Sequence, residues 1–151
     1  MDTSLDCPSS QPGPGSRVIG VVLVVEKEQR IAPLKQAVPL EQIAHLVPDS
    51  VPATEIVRLA SPCQTERCQH YLDEKCSLAS RIVKALPEVV NKLPHCSVRK
   101  SCRWWFQEGM HACMRCPQIV TEPFTYPDRI KDLSIPLNTP NSSPQELQNG
   151  Q

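Results

Sequence analysis

Seven of the eight cysteines fall between Cys63 and Cys116. No other feature constrains the fold of this chain as strongly. They stand as Cys63-x4-Cys68-x7-Cys76, then nineteen residues, then Cys96-x5-Cys102-x10-Cys113-x2-Cys116. Thiols this dense either bridge one another or share metals, and either outcome ties distant segments together. Cys113-Met-Arg-Cys116 is a pair whose two sulfurs reach one centre from a single turn. Cys96, Cys102 and the Cys63, Cys68 and Cys76 group can complete one or two sites. All seven are therefore candidate metal ligands.

The choice between disulfides and metal rests on compartment. The opening Met-Asp-Thr-Ser-Leu-Asp lacks the basic region of a signal peptide, and no apolar stretch of suitable length follows at once. The longest apolar run, Val18 to Val25, is one strand long and falls short of the roughly 20 residues a spanning helix needs. The expectation is a cytoplasmic protein. In that reducing setting clustered thiols read as ligands rather than bridges.

The rest of the composition fits a chain in need of such a staple. The 151 residues fit one ordinary domain. Sixteen prolines interrupt helices and sheets alike. The six aromatics lie between Tyr71 and Tyr126, too few for a large aromatic core. Sixteen basic and sixteen acidic residues cancel, which argues against nucleic acid or a membrane surface as the partner.

Pattern divides the chain. Residues 1–16 and 134–151 have the Ser, Pro, Gly, Gln and Asn composition of disordered tails, and the first contains Cys7, read as a bystander. Residues 17–60 read as β-rich. Arg17 to Val25 and Arg30 to Val38 form a hairpin around Glu26-Lys27-Glu28-Gln29, with Pro33 marking the second strand as an edge or a bulge. A short helix follows at Leu40 to Leu46, and Ala53 to Ala60 reads as a strand or a helical turn. Residues 61–127 form a cysteine-rich, metal-stapled helical and loop module, with 128–133 as connector. Leu78, Ile82, Leu86, Val90 and Leu93 recur at helical spacing after a possible cap at Ser77, and Pro87 predicts a kink or two helices. The fold class is α+β. Cys68 to Cys76 also echoes Cys102 to Cys113, which suggests two similar half-sites.

Metal identity turns on what flanks the ligands. Zinc knuckles favour glycine after the second cysteine, and here that position is Pro117. A proline directly after a ligand cysteine is the pattern that ends the bacterial ferredoxin run, although the compact run itself is absent. An iron–sulfur cluster is the leading cofactor and zinc the alternative. The first implies electron transfer or redox and iron sensing. The second implies a zinc-stapled interaction module for a protein partner or nucleic acid. Val98-Arg-Lys-Ser-Cys-Arg-Trp-Trp-Phe106 could stack single-stranded bases. With zero net charge, shielding of the metal site is the favoured role for Trp104, Trp105 and Phe106, and a protein-binding patch is a third. His70, His95 and His111 read individually as surface or hydrogen-bonded histidines. There is no Gly-rich phosphate loop, Gly-x-Ser-x-Gly or His-Glu-x-x-His, and nothing separates a catalytic cysteine from its neighbours.

Cys102-Arg-Trp-Trp-Phe-Gln-Glu-Gly together with Cys113-Met-Arg-Cys-Pro-Gln-Ile-Val-Thr resembles a group of small, uncharacterised bacterial cysteine-rich proteins. The likeness covers roughly residues 17–127, and its most specific part is the cysteine spacing. It implies a bacterial cytoplasmic setting and a cysteine-based site, and carries no particular chemistry.

Overall fold

The computed structural model describes residues 5–121. The expected connector and C-terminal tail, residues 128–151, lie outside them. Strands and short helices are mixed, in agreement with an α+β class. The organising element is a four-stranded antiparallel sheet in the order β1-β4-β2-β3, built from β1 (Asp6–Cys7), β2 (Arg17–Val25), β3 (Glu28–Pro39) and β4 (Val57–Pro62).

The expected hairpin is β2 and β3, with a tighter turn than the charged run suggested. Glu26 and Lys27 alone make it, both at positive φ, the backbone that matches the natural twist of paired strands. Pro33 sits on edge strand β3 opposite Gly20, beside a register shift between Val18 and Gly20. A Cβ on Gly20 would lie 2.5 Å from Ile31 Cγ2, so only glycine lets β3 approach so closely here. The short helix appears as α1 (Leu40–Ile43), extended by a 3₁₀ turn at Ala44–Leu46. Ala53 to Ala60 contains both readings, a 3₁₀ turn at Ala53–Glu55 and then β4.

Strand β4 is covered on both faces. Val57 and Leu59 pack with Val18 in one apolar cluster, and Ala60 packs with Ile19 and Val98 in another. Arg58, between them in sequence, is 1% exposed. Alternation along the strand puts Arg58 on the same face as Ala60, toward the cysteine-rich part.

That part begins with a two-stranded hairpin, β5 (Tyr71–Leu72) and β6 (Lys75–Cys76), closed by Asp73 and Glu74 at positive φ. Helices α2 (Ser77–Ala85), α3 (Arg103–Glu108) and α4 (Met110–Cys113) follow. Ala79, Ile82, Leu86, Cys102, Trp104, Ala112 and Ile119 form their common core. Two sequence expectations are corrected here. The helical stripe ends at Leu86, the C-cap, because Pro87 removes a donor and restricts the residue before it; Val90 and Leu93 lie in no helix. The N-cap is Cys76, not Ser77, whose hydroxyl donates to the His70 carbonyl instead.

The N-terminal segment is a third correction. From residue 5 onward it is built into the sheet: Cys7 pairs with Ser61, Asp6 with Pro62, and Cys63 N donates to Leu5 O at 2.8 Å. Asp6 also forms an isolated bridge with Cys102, an ion pair with Arg17 (2.6 Å) and accepts a hydrogen bond from Ser101 Oγ. Pro8 is fully buried. Paired backbone and a half-buried ion pair outweigh what a tail-like composition suggests.

Candidate functional site

The eight cysteines are all unbridged thiols. Cys96, Cys102, Cys113 and Cys116 line one cavity between the sheet and the helices. The charges of Cys76, Cys63 and Cys68 add to the rise that burial gives the Cys7 thiol.

The cavity set is positioned by turns and helix ends. Cys102 caps α3, and the amides of Trp104 and Trp105 point at its sulfur and favour its ionised form. Burial nevertheless dominates, and the thiol is pushed up to about 12, with Cys116 and Cys96 adding to the rise. Cys113 ends α4, which Gly109 starts at φ 68, and Cys116 opens the next 3₁₀ turn with Pro117 behind it. Burial also raises the Cys113 thiol, while a hydrogen bond and the charge of Arg99 act against that rise. Cys113 and Cys116 line the same cavity as Cys96 and Cys102.

Two arginines face this cavity, and neither was evident from the sequence. Arg58 donates from Nε to Pro8 O (2.6 Å) and from Nη1 to Cys116 O (2.7 Å) and Ile119 O (3.3 Å). Its carbon Cζ lies 5.4 Å from the Trp104 ring centre, a cation–π contact. Its Nη2 is buried and has no hydrogen-bond partner among the described residues. Arg99 donates to Pro94 O and stacks on Trp105 at 5.5 Å, with its Nε similarly unpartnered. A buried guanidinium N–H without an acceptor is costly, and both arginines line the cavity that the four cysteines also line.

The other cysteines are held by local turns. The N–H of Thr65 points at Cys63 Sγ (3.5 Å), and that of His70 at Cys68 Sγ (3.4 Å). Thr65 takes a positive φ of 51° to do so. Arg103 Nε donates to Cys63 Sγ at 3.2 Å while its guanidinium covers the Tyr71 ring. Cys76 is raised by burial, opposed by the amides of Ala79 and Leu78 at the start of α2 and by the Trp104 side chain. Gln107 clamps its backbone, Oε1 accepting from Cys76 N (2.8 Å) and Nε2 donating to Cys76 O (2.9 Å).

The half-site echo is corrected by this geometry. It aligned Cys68 with Cys102 and Cys76 with Cys113, but Cys76 and Cys102 are the two that take equivalent places, each capping a helix. The aromatic triplet divides as well. Trp104 is 2% exposed, Trp105 is half-buried and Phe106 is 61% exposed, so only the first two shield anything. His95 lines the cavity but pairs through Nε2 with Lys35 O (3.0 Å). His70 Nδ1 lies 3.2 Å from Arg81 Nη2, and burial followed by the Arg81 charge keeps its pKa low. His111 is exposed.

Among the described residues, no group of three or more His, Cys, Asp or Glu side chains could hold a metal ion. No helix among them is long and apolar enough to cross a membrane. No family model, curated protein or solved structure matches the chain.

Proposed function

We propose that this chain is a cysteine-ligated metal protein of the cytoplasm, with an iron–sulfur cluster as its cofactor, acting in electron transfer or in redox and iron sensing. The observation that carries the reading is the Cys96, Cys102, Cys113 and Cys116 cavity with the unpartnered Nη2 of Arg58 at its wall. Four thiolates around a cluster carry net negative charge. A buried guanidinium with one N–H to spare is what such a charge calls for, and Arg99 supplies a second. What supports the reading is that four cysteines and two arginines line one cavity.

The two candidate cofactors ask for different arrangements of sulfur. Four sulfurs on one tetrahedral ion come within about 3.8 Å of each other, given a metal–sulfur distance of about 2.3 Å. A cluster places several irons between its thiolates and needs no such convergence. The Cys116-Pro117 step points to the cluster, as in the bacterial ferredoxin pattern. When bound, the cluster would supply a one-electron couple. The chain's own part is to exclude water with Trp104 and Ile119, to donate hydrogen bonds to sulfur, and to offset charge with Arg58 and Arg99.

The full chain, purified without oxygen, should be brown and contain iron and acid-labile sulfide, and Cys113→Ser with Cys116→Ser should remove most of the colour. A colourless preparation holding stoichiometric zinc would replace the iron–sulfur reading with a zinc-stapled interaction module. One holding no metal would end both.

A further inference from the structure

We propose that the cavity between the sheet and the helices binds a small carboxylate when no cluster fills it, and that Arg58 and Arg99 hold the anion. This goes beyond the metal reading. It concerns the same space in the metal-free chain, where the two guanidinium groups have no negative charge to offset.

Strand β4 carries Arg58 into the interior, where it is 1% exposed. Three backbone carbonyls take its Nε and Nη1. Its Nη2 is buried and has no acceptor among the described residues. Arg99 reaches the same cavity from the 3₁₀ turn Arg99–Ser101, and its Nε is buried and unpartnered as well. Among the described residues the arginines that form ion pairs are Arg17, Arg30 and Arg115, and neither of these two is one of them. No Asp or Glu among the described residues lines the cavity. Its wall thus holds two guanidinium charges and no carboxylate, and a buried charge without a counterpart is costly.

A bound water does not meet that need. It would accept from Nη2, but a buried water wants about 2–4 polar partners. Away from the arginines and His95 the wall is proline rings, aliphatic side chains, Trp104 and thiols, which are weak acceptors. An anion meets the need, because each free N–H then makes a charge-assisted bond to a negative oxygen. The apolar remainder of the wall disfavours phosphate, whose charged oxygens ask for donors on every side. Size narrows the class further. The cavity measures about 60 Å³, well below the roughly 150 Å³ of an engineered core cavity that holds benzene. A planar carboxylate head suits that space. Pro33 and His95 line the cavity and are solvent-exposed, so it reaches the surface beside them. Ile31 and Pro94 add apolar wall for a short hydrocarbon tail.

The test uses the full chain, reduced and freed of metal by chelation, with thermal unfolding followed by far-UV circular dichroism. Calorimetric titration compares propionate, the neutral isostere propionamide and inorganic phosphate. Propionate should bind once per chain with a dissociation constant of about 1 mM. Propionamide and phosphate should bind at least about tenfold more weakly. At about 100 mM, propionate should raise Tm by about 5–10 °C, or restore helical signal to a partly unfolded chain. Arg58→Met should weaken propionate about tenfold or more. Because that change also removes hydrogen bonds of the fold, Arg99→Gln, at a partly exposed position, carries the same expectation. Equal effects of propionate and propionamide overturn the proposal, as does tighter binding of phosphate. Undiminished binding to folded Arg99→Gln overturns it too, and so does a chain that gains neither Tm nor helical signal. The colour and metal content of the anaerobic preparation bear on the metal reading alone, so either reading can fail without the other.

Discussion

Replacing Arg58 with methionine isolates the contribution of one buried cation. The substitution keeps much of the aliphatic volume and removes the guanidinium. It strands Pro8 O and Cys116 O, which now accept at 2.6 and 2.7 Å, and the more weakly held Ile119 O at 3.3 Å. An acceptor left unsatisfied in the interior costs about 1–3 kcal/mol, so the two short bonds alone account for about 2–6 kcal/mol. Relief of the unpartnered Nη2 and the gain of apolar surface offset part of this, and the net loss should be about 3 kcal/mol. On a domain of this size that lowers Tm by roughly 10 °C. Thermal unfolding followed by circular dichroism, with metal content measured beside it, provides the assay. Arg58→Lys should recover little, because one ammonium cannot serve carbonyls on both the N-terminal arm and the Cys116 turn in the fixed fork that a guanidinium offers. A methionine variant that melts within about 2 °C of wild type would refute the claim that Arg58 ties arm, sheet and cysteine turn together.

Other outcomes follow from the same geometry. Gly20→Ala should cost about 1–3 kcal/mol, because the new methyl meets Ile31 Cγ2 at 2.5 Å and Ala32 O at 3.1 Å; adding Ile31→Ala should recover part of the loss in urea unfolding. Trp104→Ala should cost about 3–5 kcal/mol or prevent folding, and Phe106→Ala, at an exposed position, should stay within about 0.5 kcal/mol of wild type in the same assay. In metal-free, reduced protein, the buried Cys102 thiol sets a pH dependence. Below the ordinary thiol range both folded and unfolded chains hold its proton; above it the unfolded chain releases the proton while the folded chain keeps it until about 12. Stability should therefore fall as pH rises through that window, and a urea midpoint that climbs with pH would contradict the assignment.

The sequence carried some of this and hid the rest for definable reasons. The β2–β3 hairpin was legible because β-branched residues cluster around a charged turn and both strands are local in sequence. The length of α2 was overestimated because apolar spacing continues past Pro87, while the missing donor there ends the helix. Arg58 gave no signal: a lone arginine in a strand reads as exposed, and its partners Pro8, Cys116 and Ile119 lie about fifty or more residues away in either direction. Cys7 was set aside because Ser, Pro and Gly surround it, and a two-residue strand has no periodicity to detect.

The cavity cysteines and the others share their supports, which bears on how the fold is assembled. Trp104 lines the cavity with its ring, holds Arg58 against one face, and interacts through its side chain with Cys76 outside it. Cys102 caps α3, while Gln107 from the same helix clamps Cys76. Asp6 bridges to Cys102, while its neighbour Cys7 pairs with Ser61 of β4. Helix α3 has only six residues, too few to be stable by itself in water. Its order must come from the contacts at its ends and along its buried side. Those contacts involve cysteines inside and outside the cavity at once. The expected outcome is that the sheet, the arm and the cysteine turns unfold together, so that amide exchange in β2 and in α3 is protected to the same degree; early exchange of α3 with β2 still protected would refute it.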